Sequence, residues 1–355
     1  MMKMMRTRTY KPNYALAEKK ALEFIQKLDK KALPIKLISF KNIFNNLEIK
    51  KYSWYSKKMG LTISKVCSNL GSEDGCCVFN ERNGKYRILY NDTIENEGRK
   101  RWTLAHELGH YALEHHKNYG CNIMKRSLIS DEEYDVFEKE ANCFARALLA
   151  PPHILFHIEN ANPIVIQEIC NISLEASLNA FRFIKNGVKE FGIGYSKDFA
   201  LKLGFGDFLH KINNKYFCEN CHCHFVLDDP FYCPSCSNNS LTKTNKKIGD
   251  DFEMKYTGIE VDNNSRAKVC PTCDNNELNY SGDFCNVCGD YLVNQCADVT
   301  HWEFEDEILD KETCGTLLAG NARFCHKCGN PSTFYKKGYL KEWDYNSNNV
   351  FELPF

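Results

Sequence analysis

Residues 104–110 read "LAHELGH". Residues four apart on an α-helix lie on one face, so His106 and His110 project together and can offer imidazole nitrogens to one metal ion. Glu107 is turned roughly 100° from His106. It stands outside that pair but within reach of a water beside the metal. Hydrolysis of a peptide bond uses such a set: zinc lowers the pKa of a water to ~7, and a carboxylate takes its proton as general base and hands it to the leaving amine. An ordinary helix can also carry H-E-x-x-H by accident. A catalytic zinc needs a third protein ligand, so the reading turns on what the rest of the chain supplies.

The flanking sequence fits such a site. "EGRKRWTLAHELGHYALEHH" (97–116) has the length and pattern of one helix. A second helix is expected from Ser130, where Ser130 and Glu133 form a capping box, to Pro151-Pro152. It carries "EKEANCFARALLAPP" (138–152), with two candidate carboxylates, Glu138 and Glu140. The apolar stripe of Phe137, Ala141, Phe144 and Leu148 does not separate them. The residue four positions after Glu138 is the polar Asn142, which could hold a histidine ring in place. For Glu140 that residue is Phe144. This favours Glu138 and leaves Glu140 as the rival. Upstream, "GCCVF" (75–79) and "KYRILY" (85–90) read as a hairpin turning at Asn83-Gly84. Adjacent Cys76 and Cys77 point to opposite faces of a strand and suit packing rather than one metal. Tyr14, Ala17, Ala21, Phe24 and Leu28 recur at helical spacing before that.

The two motifs, "RWTLAHELGHYALEHH" and about 30 residues later "EKEANCFARALLAPP", resemble the ImmA/IrrE family of metallo-endopeptidases over roughly residues 15–190. The resemblance implies a gluzincin-like helical fold around a small sheet. It implies zinc on His106, His110 and Glu138, with Glu107 as the base. It also implies a bacterial or phage regulatory, or toxin–antitoxin-like, setting in which the substrate is a helix-turn-helix repressor. Tyr90, Tyr111 and His115 are candidates by type for steadying the oxyanion, and strand 85–90 is a candidate edge for an extended substrate. Residues 163–187 have the rhythm of two short helices joined near Asn171–Ser173, a packing pair or a DNA reader. Residues 192–215 read as a glycine-containing linker.

The chain then changes character. Thirteen of its 19 cysteines fall after residue 216. Cys218, Cys221, Cys233 and Cys236 have the spacing C-x2-C-x11-C-x2-C, and Cys270, Cys273, Cys285 and Cys288 repeat it. Two knuckles clamping one tetrahedral zinc is the expected outcome for each. Cys223, His222 and His224 stand spare beside the first. A third, irregular unit has Cys314, Cys325 and Cys328, with Lys311 where its first cysteine should be. Cys296 is the expected substitute, and His301 the alternative. Small ribbons bury too little core to fold alone, so their zinc is structural.

Charge and composition narrow the function. The formal charge is zero overall, but residues 1–60 hold 15 Lys+Arg against 4 Asp+Glu, and residues 201–355 hold 15 against 23. Phosphate binding needs lysine and arginine, so the acidic ribbons favour a protein partner or sensing over nucleic acid. Trp302, Phe304, Tyr335 and Trp343 would suit such an interface if exposed, and each could instead be ribbon core. No apolar run approaches the ~20 residues that span a bilayer, and an apolar export signal is not evident. Paired C-x2-C cysteines fit a reducing, cytoplasmic compartment. The expected class is α+β: a mainly helical zincin-like peptidase domain with a small sheet, followed by small four-cysteine zinc ribbons. The expected boundaries are 1–55 for N-terminal helices, 56–200 for the peptidase core, 201–245 and 246–292 for two ribbons, and 293–355 for the irregular ribbon and tail. The competing class is a non-catalytic zinc-binding regulator or adaptor that binds a protein partner or DNA.

Overall fold

The computed structural model describes residues 11–119, 131–244, 256–278, 282–297 and 314–343. Ser130, His301, Trp302 and Phe304 lie outside these described residues. The chain divides into two compact units, Met1–His210 and Lys211–Phe355.

The first unit holds α1 (Tyr14–Gln26), α2 (Phe40–Ile43), β1 (Leu47–Lys51), α3 (Tyr52–Met59), α4 (Ile63–Leu70), β2 (Gly75–Asn80), β3 (Lys85–Tyr90), α5 (Glu97–Ala112), α6 (His115–Tyr119) and α7 (Asp131–Leu149). After these come α8 (Pro152–Leu155), α9 (Pro163–Cys170), α10 (Leu174–Phe191), α11 (Lys197–Lys202) and α12 (Gly206–Asn213), which runs across the boundary. Ala17, Ala21, Phe24 and Leu28 are buried, as their spacing predicts, while Tyr14 is exposed. Phe24 stacks against Phe40, Phe44 and Phe144, joining α1 and α2 to α7.

The sheet order is β1-β3-β2, with β1 parallel and β2 antiparallel to β3. This corrects two expectations. Residues 47–51 form a strand that the sequence reading did not anticipate. Residues 85–90 are the central strand, and both of their edges are already paired, so no substrate can add to β3. Buried Tyr86, Ile88 and Leu89 fit that central position. The free edge nearest the candidate site belongs to β2.

Two close approaches set the site. A Cβ on Gly109 would stand 3.0 Å from Ala141 Cα and 3.1 Å from Ala141 O. The glycine of "HELGH" therefore lets α5 touch α7 where the alanine of "EKEAN" faces it. A Cβ on Gly75 would meet Thr103 Cγ2 at 2.7 Å, so β2 lies equally close to α5.

The expected helix 97–116 is broken. Glu114 adopts a left-handed φ of 54°, ending α5 and restarting the chain as α6. On an unbroken helix His115 would sit roughly 140° around from His110; the break brings it back beside that residue. Residues 163–187 form the expected pair, with Asn162 and Ser173 as N-caps and left-handed Asn171 between. Arg101 of α5 ties this corner down, donating to the carbonyls of Ile35, Cys170 and Asn171. The expected linker 192–215 is largely helical, because Ala200, Leu203, Phe205 and Leu209 are buried.

The second unit has a small sheet of β5 (His224–Val226), β4 (Lys215–Cys218) and β6 (Leu241–Lys243), in that order, and a short α13 (Thr333–Lys336). Its core consists largely of cysteines, with Leu292, Phe334 and Leu340 among the few large apolar side chains. Tyr335 and Trp343 pack against these clusters, which is the ribbon-core alternative rather than the interface one.

Candidate active site and metal centres

The α5–α7 crossing brings His106, His110 and Glu138 together. His106 Nε2 is 3.0 Å from His110 Nε2. Glu138 Oε2 is 3.3 Å from His106 Nε2, and Glu138 Oε1 is 3.5 Å from His110 Nε2. Ligands set tetrahedrally at the ~2.0–2.1 Å of zinc–nitrogen and zinc–oxygen bonds stand ~3.3–3.4 Å apart. The three observed separations straddle that value.

Proton placement points the same way. His115 Nε2 donates to Glu140 Oε2 at 3.0 Å, which leaves His115 Nδ1 as an acceptor. His110 Nδ1–H donates to it at 2.9 Å. His106 Nδ1–H donates to Asn142 Oδ1, also at 2.9 Å. Both Nε2 atoms therefore carry lone pairs, and they face each other with a carboxylate alongside. Three acceptors converging in this way suit a cation.

Glu140, the rival carboxylate, faces away from the pair. One oxygen holds His115, and the other accepts the Asn13 backbone N–H at 2.6 Å. A chain of hydrogen bonds thus runs from the start of α1 through Glu140 and His115 to His110.

The electrostatics follow from burial. Burial pushes the Glu107 carboxyl up to about 7; the Glu138 charge adds to this, while His106 and the Cys77 backbone N–H oppose it. Burial pulls His110 down to about 3. His106 moves the other way: burial alone would lower it, but Glu138, Glu107 and Asn142 together raise it. Burial would raise Glu138, yet its close contacts with His106 and His110 hold it well below the usual carboxylate range.

These groups line a cavity of about 630 Å³ that also includes Gly75, Cys77, Trp102, His116, Tyr134 and Asn142. His116 Nε2 donates to Cys77 O at 3.0 Å. The three oxyanion candidates named by type are placed elsewhere. His115 has both ring nitrogens engaged, Tyr111 donates to Asn46 at 2.8 Å, and Tyr90 lines a separate cavity with Lys36 and Arg101. Tyr134 is the phenol the sequence reading missed. It lies four residues before Glu138, and helical spacing alone could have put it on the same face.

The second unit brings together all three expected sets of cysteines: Cys218, Cys221, Cys233 and Cys236; Cys270, Cys273, Cys285 and Cys288; and Cys296, Cys314, Cys325 and Cys328. Sulfurs on a tetrahedral zinc at ~2.3 Å stand ~3.8 Å apart. The pairs Cys218–Cys236, Cys270–Cys288 and Cys273–Cys285 are 3.6, 3.6 and 3.7 Å apart, and Cys296–Cys328 and Cys314–Cys325 are 3.4 and 3.7 Å apart. Each set fits zinc.

All five C-x2-C knuckles share one backbone form. The N–H of the residue after the second cysteine (His222, Ser237, Asp274, Gly289 or Gly329) bonds back to the first cysteine's carbonyl, and that residue has positive φ. The first cysteine's N–H then bonds to the carbonyl of the next residue along. The segment before Cys314 is not such a knuckle, and residues 298–313 between Cys296 and Cys314 lie outside the described residues.

Residues 58–180 match the family model Peptidase_M78, the IrrE N-terminal-like domain. This stretch, which is similar to that family's domain, contains β2, β3, α5 and α7. The match ends before the cysteine-rich unit. No curated protein matches the chain.

Proposed function

We propose that the first unit is a zinc-dependent endopeptidase, with the metal held by His106, His110 and Glu138. The observation that carries this is the convergence of three proton-free ligand atoms beside a buried carboxylate, Glu107. Zinc bound there would polarise the scissile carbonyl and make a water acidic near neutral pH. Glu107, with its carboxyl lifted towards 7 and held by the Cys77 N–H, accepts the proton of the attacking water. It then delivers that proton to the leaving amine. Asn142 and His115 fix the two imidazole rings, and the substrate lies in the cleft along β2.

The substrate class, a helix-turn-helix repressor in a bacterial or phage regulatory system, follows from the family resemblance. The second unit serves partner recognition. Its acidic charge disfavours phosphate, and Phe231, Phe284 and Val287 leave apolar side chains at its surface. A cytoplasmic location fits the thiol-rich composition.

The test compares wild type with Glu107→Gln on candidate helix-turn-helix repressors, reading fragments by mass spectrometry. Wild type should cleave one, and the variant should retain metal without cleaving. If wild type cleaves no candidate, or the variant keeps its metal and gives the same regulatory output, a non-catalytic regulator is the better account; the same fragments from the variant would remove Glu107 from the role of base.

A further inference from the structure

The five regular knuckles provide an internal comparison. The residue five positions after the first cysteine, whose carbonyl accepts that cysteine's N–H, is Asn238, Asn275, Asp290 or Asn330 in four of them. In the fifth it is Cys223. In the second ribbon Asn275 points its amide at Cys285, with Nδ2 3.9 Å from Sγ. Cys223 occupies the corresponding place in the first ribbon, and its Sγ is 3.3 Å from Cys233 Sγ. The first ribbon thus holds five thiols, where the described residues of the other two sites bring together four each. Cys223 is largely buried, yet it lines a cavity of about 530 Å³ within the second unit, together with His224, Pro234, Tyr256 and His326. A cavity of that size admits a small oxidant to this sulfur.

We propose that Cys223 is an oxidation site that makes the first ribbon a peroxide-releasable zinc site. Hydrogen peroxide oxidises the Cys223 thiol to a sulfenic acid, releasing one water. The neighbouring Cys233 thiolate attacks the sulfenic sulfur, the Cys223–Cys233 bond forms, and the hydroxyl leaves as hydroxide, which solvent protonates to a second water. The two sulfurs together lose two electrons to one peroxide. Cys233 is then no longer a thiolate, so zinc loses one of its four ligands. The second and third sites have no thiol at the corresponding position and follow only the slower direct oxidation of their ligands. The proposal concerns the second unit alone and does not depend on the peptidase reading.

The test uses the full chain, limiting hydrogen peroxide and a chromogenic zinc chelator, with peptide mapping of disulfides. Cys223→Asn installs the residue found in the other knuckles, and Cys223→Ser is the smaller change. Wild type should release one zinc equivalent at least about tenfold faster than either variant, since a thiol held in contact captures the sulfenic acid within the molecule. The mapped bond should join Cys223 to Cys233. Equal release rates, or a first disulfide that omits Cys223, would overturn the proposal. So would a Cys223→Asn protein purified one zinc short, because Cys223 would then be a ligand rather than a spare thiol.

Discussion

Glu140 and Glu138 are two residues apart on α7, and the structure gives them different work. Replacing Glu140 with alanine removes the acceptor of His115 Nε2–H and of the Asn13 N–H. His115 is only 2% exposed, so water cannot readily replace the lost partner. A buried donor left unmade costs about 1–3 kcal/mol. His115 is then free to change tautomer or turn its ring, and His110 Nδ1–H loses its acceptor. Loss of such an outer partner lowers metal affinity ~10–100-fold, or about 1.4–2.8 kcal/mol. Glu140→Gln keeps one acceptor oxygen for two donors and should fall between. Glu138→Ala removes a ligand and should empty the site. Chelator competition on the full chain reads all three variants, with the tighter cysteine sites as internal reference. If Glu140→Ala emptied the site while Glu138→Ala kept its metal, the ligand assignment would be wrong. If Glu140→Ala left affinity unchanged, the hydrogen-bonded chain through His115 would have no role.

Further outcomes follow from single contacts. Gly109→Ala places a Cβ against Ala141 and should cost about 1–3 kcal/mol through overpacking while spreading the two histidines from Glu138; denaturant titration and metal affinity should fall together. In the metal-free protein Glu107 has a folded-state pKa of about 7 against an ordinary 4.5. Its stability contribution is therefore present in full below pH 4.5 and is lost as pH rises to 7, at up to ~1.4 kcal/mol per pH unit; Glu107→Gln should remove that slope in urea melts across the same window. On the proposed mechanism Glu107 must be ionised to act in the metal-loaded protein, so cleavage should fall on acidification, with the limb at or below pH 7 because a nearby cation favours the carboxylate. Tyr134→Phe should lower kcat more than it raises KM if the phenol steadies the oxyanion; an unchanged kcat would remove it from that role.

Much of the site is local enough to be legible in the sequence. Four-residue spacing puts His106 with His110 and Glu138 with Asn142, and the knuckle spacings announce the cysteine sets. What the sequence could not supply depended on tertiary register. Glu138 and Glu140 flank the apolar stripe of α7 about equally, and only the crossing at Gly109 and Ala141 decides which one faces the histidines. His115 reads as part of a continuous helix until the left-handed Glu114 is seen. Strand 85–90 looks like half of a hairpin with a free edge, because its second partner, β1, is only five residues long, and the alternation of Leu47 and Ile49 with Glu48 and Lys50 is too short to stand out. Cys223 stands spare in the sequence, and its oddity lies in the backbone pattern that five knuckles share, where the other four have Asn or Asp at the same place.

The most direct test of the central claim is the zinc content of the purified full chain. The account predicts four zinc ions per chain, falling to three in His106→Ala and in Glu138→Ala and staying at four in Glu107→Gln. Three in the wild type with no further loss in His106→Ala would place zinc in the ribbons alone and contradict a metal centre between α5 and α7.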